Sequence, residues 1–549
     1  MKSDKIVIAA GANIGANSAE NDDSFLFDAF VSNPVLASVQ GHPQQKNFVL
    51  GRTGSGKTAI LRIIERGEER PQRINVYDMA MTYVANSDIF AFLDSVDAPL
   101  NLFFQYMWKH VLLLNFIQVY FQVNDLNSSR SLFEKLNDRY KKDPRRTKAL
   151  EYLSLWRDKF WITADESVKE ISEKLEEKVH ADLGIEVEKF SARAGYASTL
   201  SKDKKTQLDR RIKQIISPQQ LADISAVISM LGEFVQTQKY QKHASIFIDQ
   251  IDENWVDEAV RFKLIRGLIE AVRVFRSIGN CSISVALRID VYQRVIQETS
   301  DSGFQADKYE DYFARIKWNE KQLFEIANKR IGLLFRRQYT NANVHFSDIF
   351  SHNVGQVDPF QYIVRRTLNR PRDVIAFVNY CLEQAVDSRQ VTAQNIRDAE
   401  GFYSSKQRDA LIAEWKAALP SLDVCLRLLS RRRHVFEAKE LVEGSQWQDF
   451  VIGASAIANA PLDPIVRLSI NTLQPNAGSS QDELLRTAVS ELYRVGAVGL
   501  KTPSVERYLW SHLDTPIMSP DVIDGTSRLH IHPMLHRALL VDAREPTSR

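Results

Sequence analysis

The amino-acid sequence predicts an α/β protein built around a parallel β-sheet that is covered by helices. Four short apolar runs have the character of strands, at residues 47–50, 73–78, 244–249 and 281–287. Stretches with helical periodicity separate these runs, which is the pattern of a parallel sheet. A glycine-rich turn joins the first run to a helical segment, so the chain there follows the order strand, loop, helix.

An insertion interrupts the predicted sheet, because the interval between the second and third runs is far longer than one crossover helix requires. Residues 102–123 have the pattern of an apolar helix, and Val168, Ile171 and Leu175 fall at helical spacing. Polar residues such as Lys109 inside the apolar stretch would be costly in a bilayer. We therefore expect a buried helix here, and no membrane contact.

Two further parts follow the fourth run. Residues 323–337 and 373–386 are helical by pattern and predict an α-helical lid. Beyond them, residues 421–429 and 482–495 predict helices that precede short strands, which is the pattern of a winged helix. The predicted strands are residues 497–500, 507–510 and 528–531.

These patterns divide the chain of 549 residues into four predicted parts. Residues 1–95 and 216–300 form the sheet-containing core, and residues 96–215 form the helical insertion. Residues 301–404 form the lid, and residues 405–549 form the winged-helix-like domain. Such a chain is long enough to bury several hydrophobic cores.

The composition excludes some classes of function. Lys plus Arg (71) nearly balances Asp plus Glu (69), so no overall field attracts the chain to nucleic acid or to acidic lipid. The three cysteines are far apart in the sequence, which indicates reduced thiols. The first apolar run is too short for a signal peptide, and we therefore expect a cytoplasmic protein.

The glycine-rich turn carries the strongest functional signal. The segment Gly51-Arg-Thr-Gly-Ser-Gly-Lys57-Thr58 matches G-x-x-x-x-G-K-[ST], the Walker A motif of P-loop NTPases, in the strand-to-helix context that it requires. Backbone N–H groups of such a loop cradle phosphates, the lysine reaches the β- and γ-phosphates, and the hydroxyl binds Mg²⁺. The cofactors predicted are therefore ATP and Mg²⁺. The predicted nucleotide-binding residues are Gly51, Thr53, Gly54, Ser55, Gly56, Lys57, Thr58 and Ala59.

Carboxylates follow the third apolar run. Asp249 ends that run, where it would join Thr58 as a Mg²⁺ ligand. Asp252 and Glu253 come directly after it, and either could orient or deprotonate the attacking water. We prefer Glu253 as the base. The alternative is that this acidic pair caps the next helix.

Together these motifs resemble those of the additional-strand P-loop ATPases, especially the STAND and KAP groups and the origin-recognition AAA+ proteins. Asp249, Asp252 and Glu253 fit the STAND pattern hhhhD-x-x-D-E. The resemblance implies that Arg288, at the end of the fourth run, senses the γ-phosphate. The alternative is an ion pair between Arg288 and Asp290.

The resemblance extends into the lid, over roughly residues 25–400. The segment Asn369-Arg-Pro-Arg-Asp373 is similar to the sensor-2 segment of origin-recognition proteins, which implies a phosphate contact from Arg372, with Arg370 as the alternate. A helix-capping role of Asp373 is the other possibility. Arg315 and Arg330 are candidates for an arginine that acts between subunits.

The C-terminal region has weaker signals. Arg486 and Arg494 are the obvious basic residues on its long helix, and residues 431–433 form a basic cluster that is more typical of a solvated surface than of a phosphate contact. A metal site at His530, His532 and His536 is not favoured, because carboxylates and cysteines are missing beside them.

The resulting hypothesis is a homo-oligomeric, ATP-hydrolysing switch. ATP would close the lid, the protein would assemble or engage an effector protein, and hydrolysis would reset it. By analogy with bacterial STAND-like ATPases, the role would be antiviral defence. The alternatives are a DNA-binding AAA+ initiator or transposition-type ATPase that uses the winged helix, and a scaffold with a structural nucleotide.

Overall fold

The computed structural model divides the chain into two compact units. The sheet unit comprises Ser32–Arg52 and Lys57–Ile316, and the helical unit comprises Met1–Val31, Thr53–Gly56 and Lys317–Arg549. The residues described are 6–40, 46–76, 90, 93, 100–121, 134, 137–138, 144–156, 164–183, 218–236, 243–252, 258–299, 306–338, 343–416, 418–458, 460, 463–473 and 481–543.

The strands and helices of these residues are numbered in chain order. The strands are β1 (Phe48–Gly51), β2 (Pro71–Asn75), β3 (Ala244–Asp249), β4 (Cys281–Arg288), β5 (Phe313–Arg315), β6 (Val435–Glu437), β7 (Val498–Lys501) and β8 (Arg528–Ile531). The helices are α1 (Asp23–Leu26), α2 (Pro34–Gln40), α3 (Lys57–Gly67), α4 (Leu100–Phe121), α5 (Pro144–Trp156), α6 (Ala164–Leu183), α7 (Pro218–Gln236), α8 (Glu258–Phe275), α9 (Ile289–Thr299), α10 (Glu320–Gln338), α11 (Phe346–Ile349), α12 (Pro359–Val364), α13 (Pro371–Gln384), α14 (Ala393–Trp415), α15 (Leu422–Arg427), α16 (Ser445–Ser455), α17 (Pro464–Leu473) and α18 (Gln481–Val495).

The sheet unit contains a five-stranded sheet with the order β2-β3-β4-β1-β5, and all neighbouring strands are parallel. The parallel sheet predicted from the sequence is therefore confirmed, and its order is compatible with a P-loop-like core. One strand, β4, separates β1 from β3. Because the strands are parallel, the carboxyl ends of β1, β3 and β4 lie along the same edge of the sheet.

Two strands of this sheet differ from the prediction by more than one residue at an end. The second begins two residues earlier than expected, and residues 77–78 of the predicted run lie outside the described residues. The edge strand β5 has only three residues, too few for an apolar period to be recognised.

The longest helix of the sheet unit, α4, is buried along most of its length. The indole Nε1 of Trp108 donates to the carbonyl of Leu264 on α8 at 3.0 Å. At Gly267 of α8, an added Cβ would lie 2.8 Å from the backbone of Phe104, so the two helices approach closely only because this residue is glycine. The predicted apolar helix is thus a core helix. In the part of the chain that the structure describes, no helix has the length and apolarity needed to cross a membrane.

The helical unit has its own hydrophobic core, which includes residues from the beginning of the chain. The N–H of Ile8 donates to the carbonyl of Ser388 at 2.9 Å, and Asp22 forms a buried ion pair with Arg330 at 2.6 Å. Residues 1–31 therefore group with this unit, whereas the sequence placed them with the sheet. These links are hydrogen bonds and an ion pair between distant residues, which leave no periodic pattern in the sequence.

The expected boundary between the lid and the C-terminal domain, at residues 404 and 405, falls inside the single helix α14. Beyond it, β6, β8 and β7 form an antiparallel sheet in that order. Residues 507–510, predicted as a strand, contribute only one bridge, between Leu500 and Leu509. The backbone N–H of Trp510 donates instead to the side chain of Asp514 at 2.9 Å, and β6 supplies the third strand.

Candidate functional site

The loop between β1 and α3 has a backbone that requires glycine at two positions. Gly54 and Gly56 have φ angles of +77° and +96°, in the left-handed region that other residues rarely adopt. At Gly54 there is also a steric limit, because an added Cβ would lie 3.0 Å from Cβ and Cδ of Arg372. The motif glycines therefore fix the path of this loop.

Three successive carbonyl groups of the loop accept hydrogen bonds from other parts of the helical unit. Arg370 Nη1 donates to Thr53 O at 2.9 Å, and the Trp318 indole Nε1 donates to Ser55 O at 2.8 Å. Between them, the backbone N–H of Arg372 donates to Gly54 O at 3.4 Å. Hydrogen bonds from residues outside the loop therefore set the orientation of all three peptide planes.

The orientation of these carbonyls also determines the direction of the N–H groups in the same peptide planes. In a planar trans peptide the N–H of the next residue points away from the carbonyl. The N–H groups of Gly54, Ser55 and Gly56 consequently face away from the contacting side chains, and none has an acceptor among the described residues. The buried hydroxyl of Ser55 also has no hydrogen-bond partner there. Successive N–H groups of this kind form a concave site for anions.

Lys57, in the sheet unit, begins α3. Its Nζ donates to the carbonyls of Gly51 at 3.3 Å and Arg52 at 3.4 Å. Burial lowers the pKa of its ammonium group, and the nearby carboxylate of Asp252 acts in the opposite direction, while the positive charge of Arg288 lowers the pKa further. The ammonium therefore lies within electrostatic reach of the groups at the ends of β3 and β4.

Asp249 is the last residue of β3, and its side chain is 9% exposed. Burial raises the pKa of this carboxyl, while hydrogen bonds from the Thr58 hydroxyl and the Gln250 N–H favour its charged form. The Arg73 Nη1 lies 3.6 Å from Oδ2 of Asp249, and its positive charge also favours the charged form. Thr58 and Asp249, distant in the sequence, are thus brought together.

Asp252 and Arg288 are joined through the backbone. The Oδ2 of Asp252 accepts a hydrogen bond from the N–H of Arg288 at 2.6 Å, which ties the turn after β3 to the end of β4. The Arg288 guanidinium pairs with Asp290 through bonds of 2.6 and 3.2 Å, the ion pair that the sequence left open. Glu253, the preferred base, lies outside the described residues.

Arg370 and Arg372 have different environments. Arg370 is buried, and its guanidinium contacts Asp373 at 2.9 Å and Glu414 at 3.3 Å as well as the carbonyl of Thr53. These carboxylates raise the pKa of Arg370 above its usual value, against the effect of burial. Arg370 is therefore fixed at the outside of the loop.

Arg372 is more exposed than Arg370. Its Nε donates to the carbonyl of Asn17 at 2.8 Å, and its aliphatic stem lies against Gly54. Its two terminal nitrogens have no partner among the described residues. Of the two arginines, Arg372 is the one with a guanidinium edge available for a ligand. Asn17 and Trp318 belong to no sequence motif, so their contacts with this region could not be predicted from the sequence.

The two candidates for an arginine that acts between subunits also differ. Arg330 is buried in its pair with Asp22 and donates to the carbonyl of Ile14 at 2.9 Å. The side chain of Arg315 is 47% exposed and pairs with Glu310 at 3.1 Å. Arg330 thus stabilises the packing of the N-terminal segment, and Arg315 is the accessible residue.

The basic residues of α18 are engaged locally. Arg486 pairs with Asp482 at 2.6 Å. Arg494 is buried, pairs with Glu491, and lies over the ring of Trp415 at 4.6 Å. Arg494 is consequently inaccessible to a nucleic-acid backbone.

The basic cluster at residues 431–433 is also largely bound to its own region. Arg432 donates to the carbonyls of Leu428 at 2.6 Å and Glu440 at 2.9 Å, and Arg433 pairs with the Glu440 carboxylate at 3.3 Å. These contacts favour the surface role over a phosphate contact.

Histidine side chains pack together in the C-terminal region. His530 lies 5.6 Å from His434 between ring centroids, and His532 lies 5.4 Å from His512. Burial lowers the pKa of His530 to about 4 and that of His532 far below its usual value. Among the residues that the structure describes, no group of three or more His, Cys, Asp or Glu side chains could hold a metal ion.

The comparison with known families gives one match. Residues 321–412 match the model of the FunZ-associated C-terminal helical domain. This segment runs from α10 into α14 and includes both Arg370 and Arg372. No curated protein matches the chain.

Proposed function

We propose that this protein is a Mg²⁺-dependent ATPase that acts as a nucleotide-driven switch. The observation that carries the proposal is the loop after β1, whose N–H groups at Gly54, Ser55 and Gly56 have no acceptor among the described residues and point away from the groups that bind the preceding carbonyls. A phosphate chain supplies the acceptors that these groups need.

The residues around the loop complete the proposed phosphate site. Lys57 contacts the β- and γ-phosphates, and Arg372 contacts phosphate through its terminal nitrogens. The other predicted nucleotide-binding residues are Gly51 at the end of β1, Thr53 in the loop and Ala59 in the first turn of α3, and they shape the backbone around the site. Exchange of the Gly51 and Arg52 carbonyls for phosphate oxygens gives the Lys57 ammonium a partner of full negative charge.

The Thr58 hydroxyl and the Asp249 carboxylate fit Mg²⁺. Both are oxygen donors, and Mg²⁺ is ordinarily held by one or two carboxylates together with phosphate oxygens. The pKa of Asp249 is raised by burial, so a cation beside it relieves the cost of its buried charge. When bound, Mg²⁺ neutralises the charge that develops on the phosphates.

Glu253 is the proposed base for the attacking water. Asp252 already accepts a short hydrogen bond from the Arg288 backbone, so its carboxylate serves to orient the turn that precedes Glu253 in the sequence. Arg288 is proposed to exchange Asp290 for the γ-phosphate when ATP is bound, and thereby to sense it.

The proposed output is ATP-dependent assembly into a homo-oligomer that engages an effector protein in a bacterial antiphage system. Support for the defence role comes from the FunZ-associated domain, which is linked to defence-type systems. We also propose that α16, α17 and α18 with β6, β7 and β8 form a winged-helix-like module. Its arginines at residues 486 and 494 are engaged locally, which favours a protein partner over DNA.

Mass photometry with a phosphate-release assay tests this function. Wild type, Glu253→Gln and the control Lys329→Ala, an exposed lysine paired with Glu325, are compared with and without ATP-Mg, each in the presence and in the absence of duplex DNA. We expect ATP to drive assembly, and Glu253→Gln to assemble but to lose turnover by about 100-fold or more. Assembly that occurs only on duplex DNA, or equal turnover in Glu253→Gln, contradicts the proposal.

A further inference from the structure

The glycine-rich loop is held from its outer side by two side chains that lie outside the Walker A motif. Trp318 lies just before α10, and Arg370 lies just before α13. Their bonds to Ser55 O and Thr53 O, at 2.8 and 2.9 Å, are normal hydrogen bonds. The two bonds lie on either side of Gly54, and the second holds the peptide that joins Ser55 to Gly56. Both glycines have positive φ angles, and the conformational freedom of glycine would otherwise let the loop change conformation.

We propose that Trp318 and Arg370 are positioning residues that hold the phosphate-binding form of the loop before the ligand arrives. This proposal rests on the proposed function, since it concerns the same loop. If the peptide plane after Thr53 or the one after Ser55 rotates, its carbonyl turns toward the phosphates and its N–H turns away. The two contacts prevent that rotation, and therefore lower the ordering cost of binding phosphate.

Arg370 is itself held in place, which makes the contact dependent on the helical unit. Asp373 fixes its Nε at 2.9 Å, and Glu414, near the end of α14, contacts its Nη1 at 3.3 Å. A shift of α14 would therefore move the guanidinium that holds Thr53. In this way the conformation of α14 sets the affinity of the loop for phosphate.

Three substitutions separate this role from general stability. Trp318→Phe keeps the ring and removes the N–H donor, Arg370→Lys keeps the charge and removes the planar fork, and Glu414→Gln touches only Arg370. Matched controls are Trp447→Phe, a buried tryptophan that packs on Phe450, and Arg366→Lys, whose partner is Glu400 at 2.7 Å.

The first readout needs no nucleotide. Trypsin cleavage after Arg52 and Lys57, mapped by mass spectrometry on the full chain, reports how often the loop opens. We expect cleavage in Trp318→Phe and Arg370→Lys to be about two- to tenfold faster than in wild type, with a smaller increase in Glu414→Gln. The two controls should cleave at the wild-type rate.

The second readout is ATP binding and turnover. A positioning role predicts that the Kd for ATP-Mg rises about two- to tenfold in Trp318→Phe and Arg370→Lys. We expect their kcat to stay within about twofold of wild type, since the groups that touch the reacting atoms are unchanged.

The results distinguish the two proposals. If the variants are cleaved faster but wild type binds no ATP, the positioning role is supported and the proposed ATPase function is overturned. Wild-type cleavage rates in Trp318→Phe and Arg370→Lys, or faster cleavage with an unchanged Kd, overturn the positioning role. If circular dichroism shows that Arg370→Lys does not fold, the Trp318→Phe result decides.

Discussion

Substitution of Gly54 by alanine tests the proposed role of the loop backbone, and Gly11 provides a matched control. Both glycines have nearly the same φ angle, +77° and +76°. A Cβ at Gly11 would meet nothing within 4 Å, whereas a Cβ at Gly54 would lie 3.0 Å from two atoms of Arg372. The left-handed backbone costs an alanine about 1–2 kcal/mol at either position.

The steric contact at Gly54 adds a further cost. Overpacking of this kind typically costs about 1–3 kcal/mol, unless the Arg372 stem or the loop moves. If the loop moves, the cost appears as weaker ATP binding, by about 5- to 140-fold. Urea unfolding and calorimetric titration with ATP-Mg measure the two effects. The reasoning is refuted if Gly54→Ala and Gly11→Ala have the same stability and the same affinity for ATP.

Three further outcomes are expected. Asp249→Asn should lower phosphate release by about 100-fold or more, yet leave the urea midpoint unchanged or higher, because burial raises the pKa of Asp249 and its charge is costly in the folded state; a clear loss of stability would contradict this. Arg330→Ala should cost about 3–5 kcal/mol in urea unfolding, because Asp22 is left buried without its partner; a stable variant that has lost only assembly would instead support a role between subunits. His530 alone should lower the unfolding free energy by about 1–2 kcal/mol from pH 7 to pH 5, because unfolded histidine takes up a proton near pH 6.5 while folded His530, with its pKa lowered to about 4, stays neutral; buried His532 adds a loss in the same direction, so His530→Asn should have a shallower pH dependence than wild type by this amount, and equal pH dependence in the two would contradict it.

The sequence was sufficient for the parts of the fold that depend on local pattern. The buried strand at residues 244–249 is found with the predicted limits, because an unbroken apolar run that ends in aspartate has few alternatives. The helix Glu320–Gln338 likewise covers the segment predicted from its apolar period. The meeting of Thr58 with Asp249 followed from the geometry of parallel strands.

The remaining features depend on contacts between distant residues. Trp318 and Arg370 donate to backbone carbonyl groups of the loop. Every residue has such a carbonyl, so the residue types in the sequence do not indicate these contacts. The sequence preferred Arg372 to Arg370 only by resemblance to sensor-2 segments, without a physical reason that separates the two arginines. Only the positions of Asp373 and Glu414 distinguish the buried guanidinium from the accessible one.

Equilibrium binding of ATP to the full chain in the presence of Mg²⁺ tests the central claim most directly. Isothermal titration calorimetry would compare wild type with Lys57→Ala, using Lys329→Ala as the control. We predict that wild type and the control bind one ATP per chain and that Lys57→Ala binds about 100-fold more weakly, since a buried ammonium–phosphate contact is lost. Failure of wild type to bind ATP, or equal affinity in Lys57→Ala, would contradict the assignment of this loop as the nucleotide site.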